Sequence, residues 1–488
     1  MSGCRLKSPG AWIAPILVAV GLAGCVSVGP DYVPPVTITP AAWNRLAENG
    51  PSRAEQTGDI SRWWRTLNDP LLTALVDEAL QANHDLLDAQ ARLRAARARR
   101  SVALAGFFPD LGASGSGSRA MSSRETGTGL TRENYSIGLD AGWELDVFGG
   151  TRRDFEAAGA DLAASEASLS ATQVSLAAEV ALGYVEMRSL QQRLDIARDN
   201  LASQSETLQL TRWRAQAGLA DSQDVAQALS NREQTRAQIP TLETSLAEIQ
   251  HSLDILLGKT PGSLRERLDA GSGLPQPPEK IAVGIPADVL RQRPDVRAAE
   301  RTLAAETARV GVAEAARYPS FTLSGSVGLE ALTLGALGNS GAETWSLVSG
   351  ITAPIFQAGR LRAQVDAQDA VREQALAAYE QTILEALRDV ENALVALARS
   401  RQRAEALEIA TGAARSAADM ARQRYSSGLI DFQPVLDAER SALSTEDSLA
   451  SARAEGMLAL IRLYKALGGG WTPQPGQTDT DMPSKETP

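Results

Sequence analysis

The feature that most constrains this chain is that it contains a copy of itself. Arg214, Gly218, Leu219, Asp221, Gln223 and Val225 recur as Arg424, Gly428, Leu429, Asp431, Gln433 and Val435, each displaced by 210 positions. Asp85 returns as Asp295, Pro109 as Pro319, Val180 as Val390, and Leu257-Gly258 as Leu467-Gly468. A unit of roughly 200 residues is too long for a solenoid repeat, so one supersecondary assembly has been built twice. Near VFGGTRR and IFQAGRLR the displacement slips to 208 or 209, which predicts loops of unequal length there. The Gly/Pro-rich run DAGSGLPQPPEK, Asp269 to Lys280, reads as the joint. The first repeat is placed at 63–262, the linker at 263–285 and the second repeat at 286–470; the polar tail 471–488 is expected to be disordered and dispensable.

Within each copy the order reads helix, strand pair, very long helix, turn, helix. Asp69 before Pro70 is an N-cap followed by proline at the first helical position, and the helix it starts is expected to stop before Pro109. In the second copy a helix beginning near Pro294 should stop before Pro319. Between the helices, Tyr135, Ile137, Leu139, Ala141, Trp143 and Leu145 alternate with Ser136, Gly138, Asp140, Gly142 and Glu144. Phe321, Leu323, Val327 and Leu329 do the same, Trp345, Leu347, Ile351 and Ile355 form a looser case, and Leu111 to Arg119 is a weak Gly/Ser-rich fourth. Such alternation suits a transmembrane β-strand with lipid on one face and water on the other. A soluble antiparallel sheet carries the same pattern.

A second period runs through the long helices. Val180, Met187, Leu194, Leu201 and Leu208 are spaced by seven, as are Ile383, Val390, Leu397, Ala404, Thr411 and Ala418. A sustained seven-residue repeat favours left-handed supercoiling of paired helices. From about Asp154 to Leu210, at ~1.5 Å per residue, the helix makes a rod of roughly 85 Å. A plain coiled-coil rod is compatible with the same residues.

Composition removes several function classes. A net charge of −11 is opposed to a nucleic-acid surface. With His84 and His251 the only histidines, and Cys4 and Cys25 the only cysteines, a metal site has little to build on. No G-x-S-x-G, H-E-x-x-H or Gly-rich phosphate loop occurs, so neither an enzyme nor a cofactor is expected. Arg5 and Lys7 precede the apolar run AWIAPILVAVGLA, too short to span a bilayer and shaped like a secretory signal over 1–24. The run ends in LAGC and resembles the lipobox of bacterial lipoproteins. That likeness implies a lipid-modified, palmitate-bearing Cys25 opening an extended segment 25–62, and Val26 after it points to the outer membrane; an ordinary signal with an incidental cysteine is the alternative. Cys4 would leave with the signal, so no intramolecular disulfide is expected. Beyond Cys25 no apolar run reaches ~18 residues, so any membrane crossing falls to strands.

Four strands from one chain cannot close a barrel, and open edges in lipid would strand backbone donors and acceptors at several kcal/mol each. Closure requires other subunits. WWRTLNDPLL at Trp63, VGPDYVPP at Val28, LRQRPDVRAAE at Leu290 and RYSSGLIDFQPVLDAER at Arg424 resemble the outer-membrane factors of the TolC type, in the lipoprotein branch that serves tripartite drug-efflux (RND) systems. The resemblance implies an α+β membrane protein: a homotrimer whose protomers each give four strands to a twelve-stranded outer-membrane β-barrel, continuous with a long periplasmic α-helical coiled-coil barrel. It implies a passive conduit lipid-anchored in the outer membrane, extending into the periplasm, with a periplasmic adaptor and an inner-membrane pump as partners.

In the family, acidic side chains project inward after the second turn, and Asp437 in VLDAER matches that position. Tyr425 matches a tyrosine that binds adjacent hairpins in the closed state, and Asp431 and Arg424 complete the candidate gate. Ile430 and Pro434 depart from relatives that carry an arginine and an acid there, which leaves Arg424 and Arg440 as candidate partners in a different lock. Gly218, Leu219, Gly428 and Leu429 match the tip turns presented to the adaptor, although glycine at a helix end is also explained by turn geometry. A duct for type I protein secretion, or a structural coiled-coil lipoprotein with a soluble sheet, would be built from the same elements.

Overall fold

The structure is a computed structural model that describes residues 27–36, 40–44, 60–269, 273–278 and 286–472. Cys25, part of the joint between the repeats and nearly all of the tail lie outside the described residues. The chain divides into two compact units. One draws on residues up to Val36, on Leu93–Ser165 and on Ala299–Tyr379; the other draws on Thr37–Arg92, Glu166–Ala298 and Glu380 onward.

The duplication appears element by element. In the first copy α1 (Pro70–Ala82) and α2 (His84–Ala105) lead to β1 (Asp110–Met121), β2 (Thr131–Leu145), α3 (Gly150–Gln216) and α4 (Ser222–Leu256). After the short α5 (Arg265–Asp269) and α6 (Pro286–Gln292), the second copy gives α7 (Pro294–Ala315), β3 (Ser320–Ala331), β4 (Glu343–Thr352), α8 (Arg360–Ser426) and α9 (Gln433–Ala466). Helices α3 and α8 are both 67 residues long, roughly 100 Å at ~1.5 Å per residue. Their heptad positions face inward: Val180, Met187, Leu194 and Leu208 in one, Ile383, Val390, Leu397, Thr411 and Ala418 in the other are buried, with Leu201 and Ala404 half-buried.

Three expectations are corrected. The helix begun at Asp69 does not run to Pro109. Asp69 caps it through Leu72 N (2.9 Å), but the chain breaks at Asn83, whose buried side chain accepts from Asp85 N (2.9 Å) and Leu86 N (3.1 Å) and so starts α2. Nor does the repeat slip at the long helices. Gly149 (φ 82°) and Gly359 (φ 84°) hold the same left-handed conformation and α3 and α8 start in register. The unequal loops expected there are present, 146–149 against 353–359, but the longer β2 absorbs the difference. Ile355 lies beyond β4, not within it.

In the strand-bearing unit, β1 to β4 form an antiparallel sheet in chain order. Its register separates the two faces. Leu111, Ile137, Leu139, Val327, Trp345, Leu347 and Ile351 share one face and are 46–81% exposed, an apolar surface left uncovered among the described residues. The opposite face is a polar lattice: Ser114 donates to Asp140 (2.6 Å), Ser116 meets Ser136 (2.8 Å), Asn134 donates to Glu330 (2.8 Å), and Ser326 meets Ser346 (2.8 Å). The outer edges of β1 and β4 are unpaired among the described residues.

The helical unit holds the main core. Trp63 and Trp64 of WWRTLNDPLL are fully buried; Trp63 stacks on Tyr464 at 5.2 Å, and Asp69 accepts from Tyr184 Oη at 2.7 Å. Burial pushes the Tyr184 hydroxyl up to about 12, with the bond to Asp69 adding to the rise. In RPDVRAAE, Arg293 pairs with Asp295 (2.6 Å) and donates to the Ala466 carbonyl (2.9 Å), tying the start of α7 to the end of α9. Both family-like motifs are therefore structural joints.

Candidate functional site: the paired hairpin tips

Each long helix ends in a turn built by the same device. Leu219 N donates to Arg214 O (2.8 Å) and Gly218 N to Ala215 O (3.0 Å); Leu429 N donates to Arg424 O (2.9 Å) and Gly428 N to Tyr425 O (2.9 Å). These are helix-ending bonds that need a left-handed residue, supplied by Gly218 (φ 70°) and Gly428 (φ 76°). A Cβ on Gly218 would meet nothing within 4 Å, so backbone conformation alone calls for glycine there. Leu219 and Leu429 project 69% and 72% exposed from the turns. The helices that follow start differently. Asp221 caps α4 with a reciprocal bond to Asp224, and the backbone N–H of Gln223 holds the Asp221 carboxyl below its ordinary value. In α9 the N-cap position is the buried Phe432, with Pro434 in the first turn.

Between the tips lies a small core of Leu208, Ala228, Ala421, Tyr425, Phe432, Val435 and Leu436. Tyr425, 2% exposed, packs edge-on against Phe432 at 5.7 Å, and its hydroxyl approaches Thr211 Oγ1 at 3.3 Å. The Arg214 guanidinium lies over the Tyr425 ring at 4.4 Å, and its Nη1 donates to the Tyr425 carbonyl. One arginine thereby ties the end of α3 to both the ring and the backbone at the end of α8. Its repeat counterpart, Arg424, has an exposed side chain.

Further contacts continue along the pair of hairpins. Thr207 Oγ1 donates to Glu439 Oε1 at 2.6 Å, Arg440 Nε to Asn231 Oδ1 at 3.1 Å, Arg422 to Ser203, and Arg193 is paired with Asp447 at 2.6 Å. Glu439 is 5% exposed, and burial pushes its carboxyl above the ordinary glutamate range, opposed by the Thr207 hydroxyl and by Arg422. Asp437, one helical turn from Gln433 and bonded to it at 3.1 Å, is exposed, as is Asp431.

The structure thus gathers Tyr425 into a clasp, leaves Asp437, Asp431 and Arg424 at the surface, and puts the four turn residues at the extremities. Sequence reading missed Arg214, Thr211, Thr207, Asn231 and Glu439. Arg214 stood in the repeat comparison beside Arg424, but nothing in the pattern distinguishes which copy closes on the tyrosine. Among the described residues no helix is long and apolar enough to cross a membrane, and no cluster of metal-ligating side chains occurs.

A sheet with one apolar and one polar face and two edges unpaired among the described residues, in a chain that also builds two long helical hairpins, defines a protein that completes a membrane channel with copies of itself. The comparisons with known proteins give the family: residues 75–259 and 285–469 match the one described as "Outer membrane efflux protein", and the chain belongs to it. Nodulation protein T of Rhizobium leguminosarum bv. trifolii is 36% identical over 463 residues, 93% of this chain and 96% of that one. Outer membrane protein OprJ of Pseudomonas aeruginosa is 32% identical over 477 residues, 96% and 97% of the two chains. Among solved structures, the outer-membrane channel OprN superposes with a TM-score of 0.86 at 38% identity, covering 92% of this chain and 100% of that one. The open state of the Neisseria gonorrhoeae MtrE outer membrane channel gives 0.81 at 31% identity, covering 91% and 98%. The protein is an outer-membrane efflux channel with the TolC-type fold, in which three chains complete the barrel. Of the readings the sequence left open, this sets aside the tethered spacer with a soluble sheet.

Proposed function

We propose that this chain is the passive duct of a tripartite pump, receiving small toxic compounds from an inner-membrane pump through a periplasmic adaptor and releasing them outside, with Cys25 carrying its lipid anchor. The observation that supports this best is the sheet with unlike faces, because three such sheets joined edge to edge give a lipid-facing exterior and a hydrated polar interior. Relatives named as a toluene efflux pump outer membrane protein and a solvent efflux pump outer membrane protein, both of Pseudomonas putida, fit a small-molecule cargo.

At the tips, Asp437 and Asp431 line the periplasmic entrance, where copies around the axis form carboxylate rings that attract cations. Tyr425 is the centre of the closing contacts, Arg214 its clasp, and Arg424 a charge at the exposed rim. Gly218, Leu219, Gly428 and Leu429 present the docking turns to the adaptor. Loss of the gene should raise susceptibility to lipophilic toxicants and its return restore resistance; unchanged susceptibility would overturn the efflux role. Gly218→Pro or Gly428→Pro should abolish efflux while trimers persist in the outer membrane, and normal efflux in either would remove the docking role.

A further inference from the structure

The first described residues are clamped in place within the strand-bearing unit. Val28 N donates to Phe148 O (3.1 Å) in the turn between β2 and α3. Arg153, in the first turn of α3 and 5% exposed, donates to the carbonyls of Val28 (3.1 Å) and Gly29 (3.3 Å) and pairs with Asp31 (2.7 Å) and Glu156 (2.8 Å). Tyr32 Oη reaches Glu300 on α7 at 3.2 Å.

Three glycines make room for this strap. A Cβ on Gly29 would lie 2.4 Å from Gly311 Cα on α7, one on Gly149 2.5 Å from Ser27 Oγ, and one on Gly311 2.8 Å from Arg153 Cγ. The seat also breaks the duplication. At the repeat-related positions Arg153 corresponds to Ala363 and Gly311 to Ser101, while Gly359, the counterpart of Gly149, has nothing near its missing Cβ. Among the described residues, the helices and strands are built twice and this seat once. Without the strap, the buried Arg153 would keep only Glu156, and a buried guanidinium that loses its partners is costly. Phe148 stacks on Tyr318 at 4.7 Å beside the seat, and tyrosine is a residue type that occupies the headgroup level of membranes.

We propose that Arg153 is a positioning residue that buckles the N-terminal strap, Ser27 to Tyr32, onto the seat formed with Gly149 and Gly311, so that the lipid anchor enters the membrane at the foot of β2 and not on a free tether. Cys25 precedes Ser27 by two residues, a covalent reach of at most about 7 Å. The inference rests on the reading of Cys25 as lipid-bearing, and the two can fail separately.

The test uses the full chain purified from membranes and treated briefly with chymotrypsin, with mass spectrometry of the peptide ending at Tyr32. The bond after Tyr32 is protected in the wild type and released about tenfold faster in Arg153→Gln, the expected scale for losing a charge-assisted hydrogen bond. Arg153→Lys, charged but without the fork, falls between. Equal rates in wild type and Arg153→Gln would overturn the buckle. A released peptide without acyl mass would overturn the lipid reading while leaving the clamp. The second readout is trimer yield with Cys25 lipidated or replaced by serine behind an ordinary signal peptide. Arg153→Gln lowers yield about tenfold in the lipidated chain and little in the other; an equal loss in both would make Arg153 merely structural and sink the positioning role.

Discussion

Arg214→Ala is the sharpest perturbation of the tips because a near-identical arginine serves as its control. The substitution removes a guanidinium 4.4 Å above the Tyr425 ring and a charged donor to the Tyr425 carbonyl. A cation–π contact contributes about 0.5–2 kcal/mol, and a hydrogen bond from a charged group about 1.5–3 kcal/mol. Arg214 is only half-buried, so the low end applies, about 2 kcal/mol per protomer. That shifts the balance between contacted and separated hairpins about 30-fold in each protomer, at ~1.4 kcal/mol per tenfold. The repeat-related Arg424→Ala removes an exposed side chain and should shift it little. The assay is cellular uptake of a large hydrophilic antibiotic that the outer membrane excludes, at matched trimer levels. Sensitivity in Arg214→Ala alone supports the clasp; equal sensitivity in both variants, or in neither, would refute it.

The buried Glu439 makes the tips pH-dependent. Burial raises its carboxyl, so the contacted arrangement binds the proton more tightly than one in which the group is hydrated. The penalty on the charged form is present above that raised pKa and is lost as pH falls through it, so acidification favours contact. Antibiotic uptake should fall as the medium is acidified, and Glu439→Gln should hold the low-uptake state at all pH; pH-independent uptake in the wild type would contradict this. On the sheet, Trp345→Lys places a charge on the apolar face at about 2–4 kcal/mol if near mid-bilayer and should deplete trimers, whereas Ser346→Lys on the polar face should be tolerated, as quantified in outer-membrane fractions. Asn83→Ala removes the cap of α2 and leaves the Leu256 carbonyl without its 2.9 Å donor, which should cost about 1–3 kcal/mol in denaturant titration.

The large-scale architecture was legible because it rests on periods: seven in the helices, two in the strands and 210 in the whole chain. Val180 and Val390 are both fully buried for the same reason that they recur. The break at Asn83 was not legible, since a buried asparagine cap declares itself only when Leu256, distant in sequence, comes beside it. The helix register across VFGGTRR was obscured because Gly149 and Gly359 keep their spacing while the arginines after them do not. The turn glycines were readable from local geometry. The clasp was not, because Arg214 and Arg424 have the same local context and only the packing of α3 against α8 decides which one meets Tyr425. The strap was quoted as VGPDYVPP, yet its seat comes from Arg153 and Gly311, residues no spacing connects.

The central claim is that three copies of this chain enclose a conducting pore, and single-channel recording of the purified trimer in a planar lipid bilayer tests it most directly. Discrete conductance steps, blocked or enlarged by changes at Asp437 and Arg214, are the predicted result. Trimers shown to be inserted in the bilayer that pass no current in the wild type, in Asp437→Ala or in Arg214→Ala would contradict it.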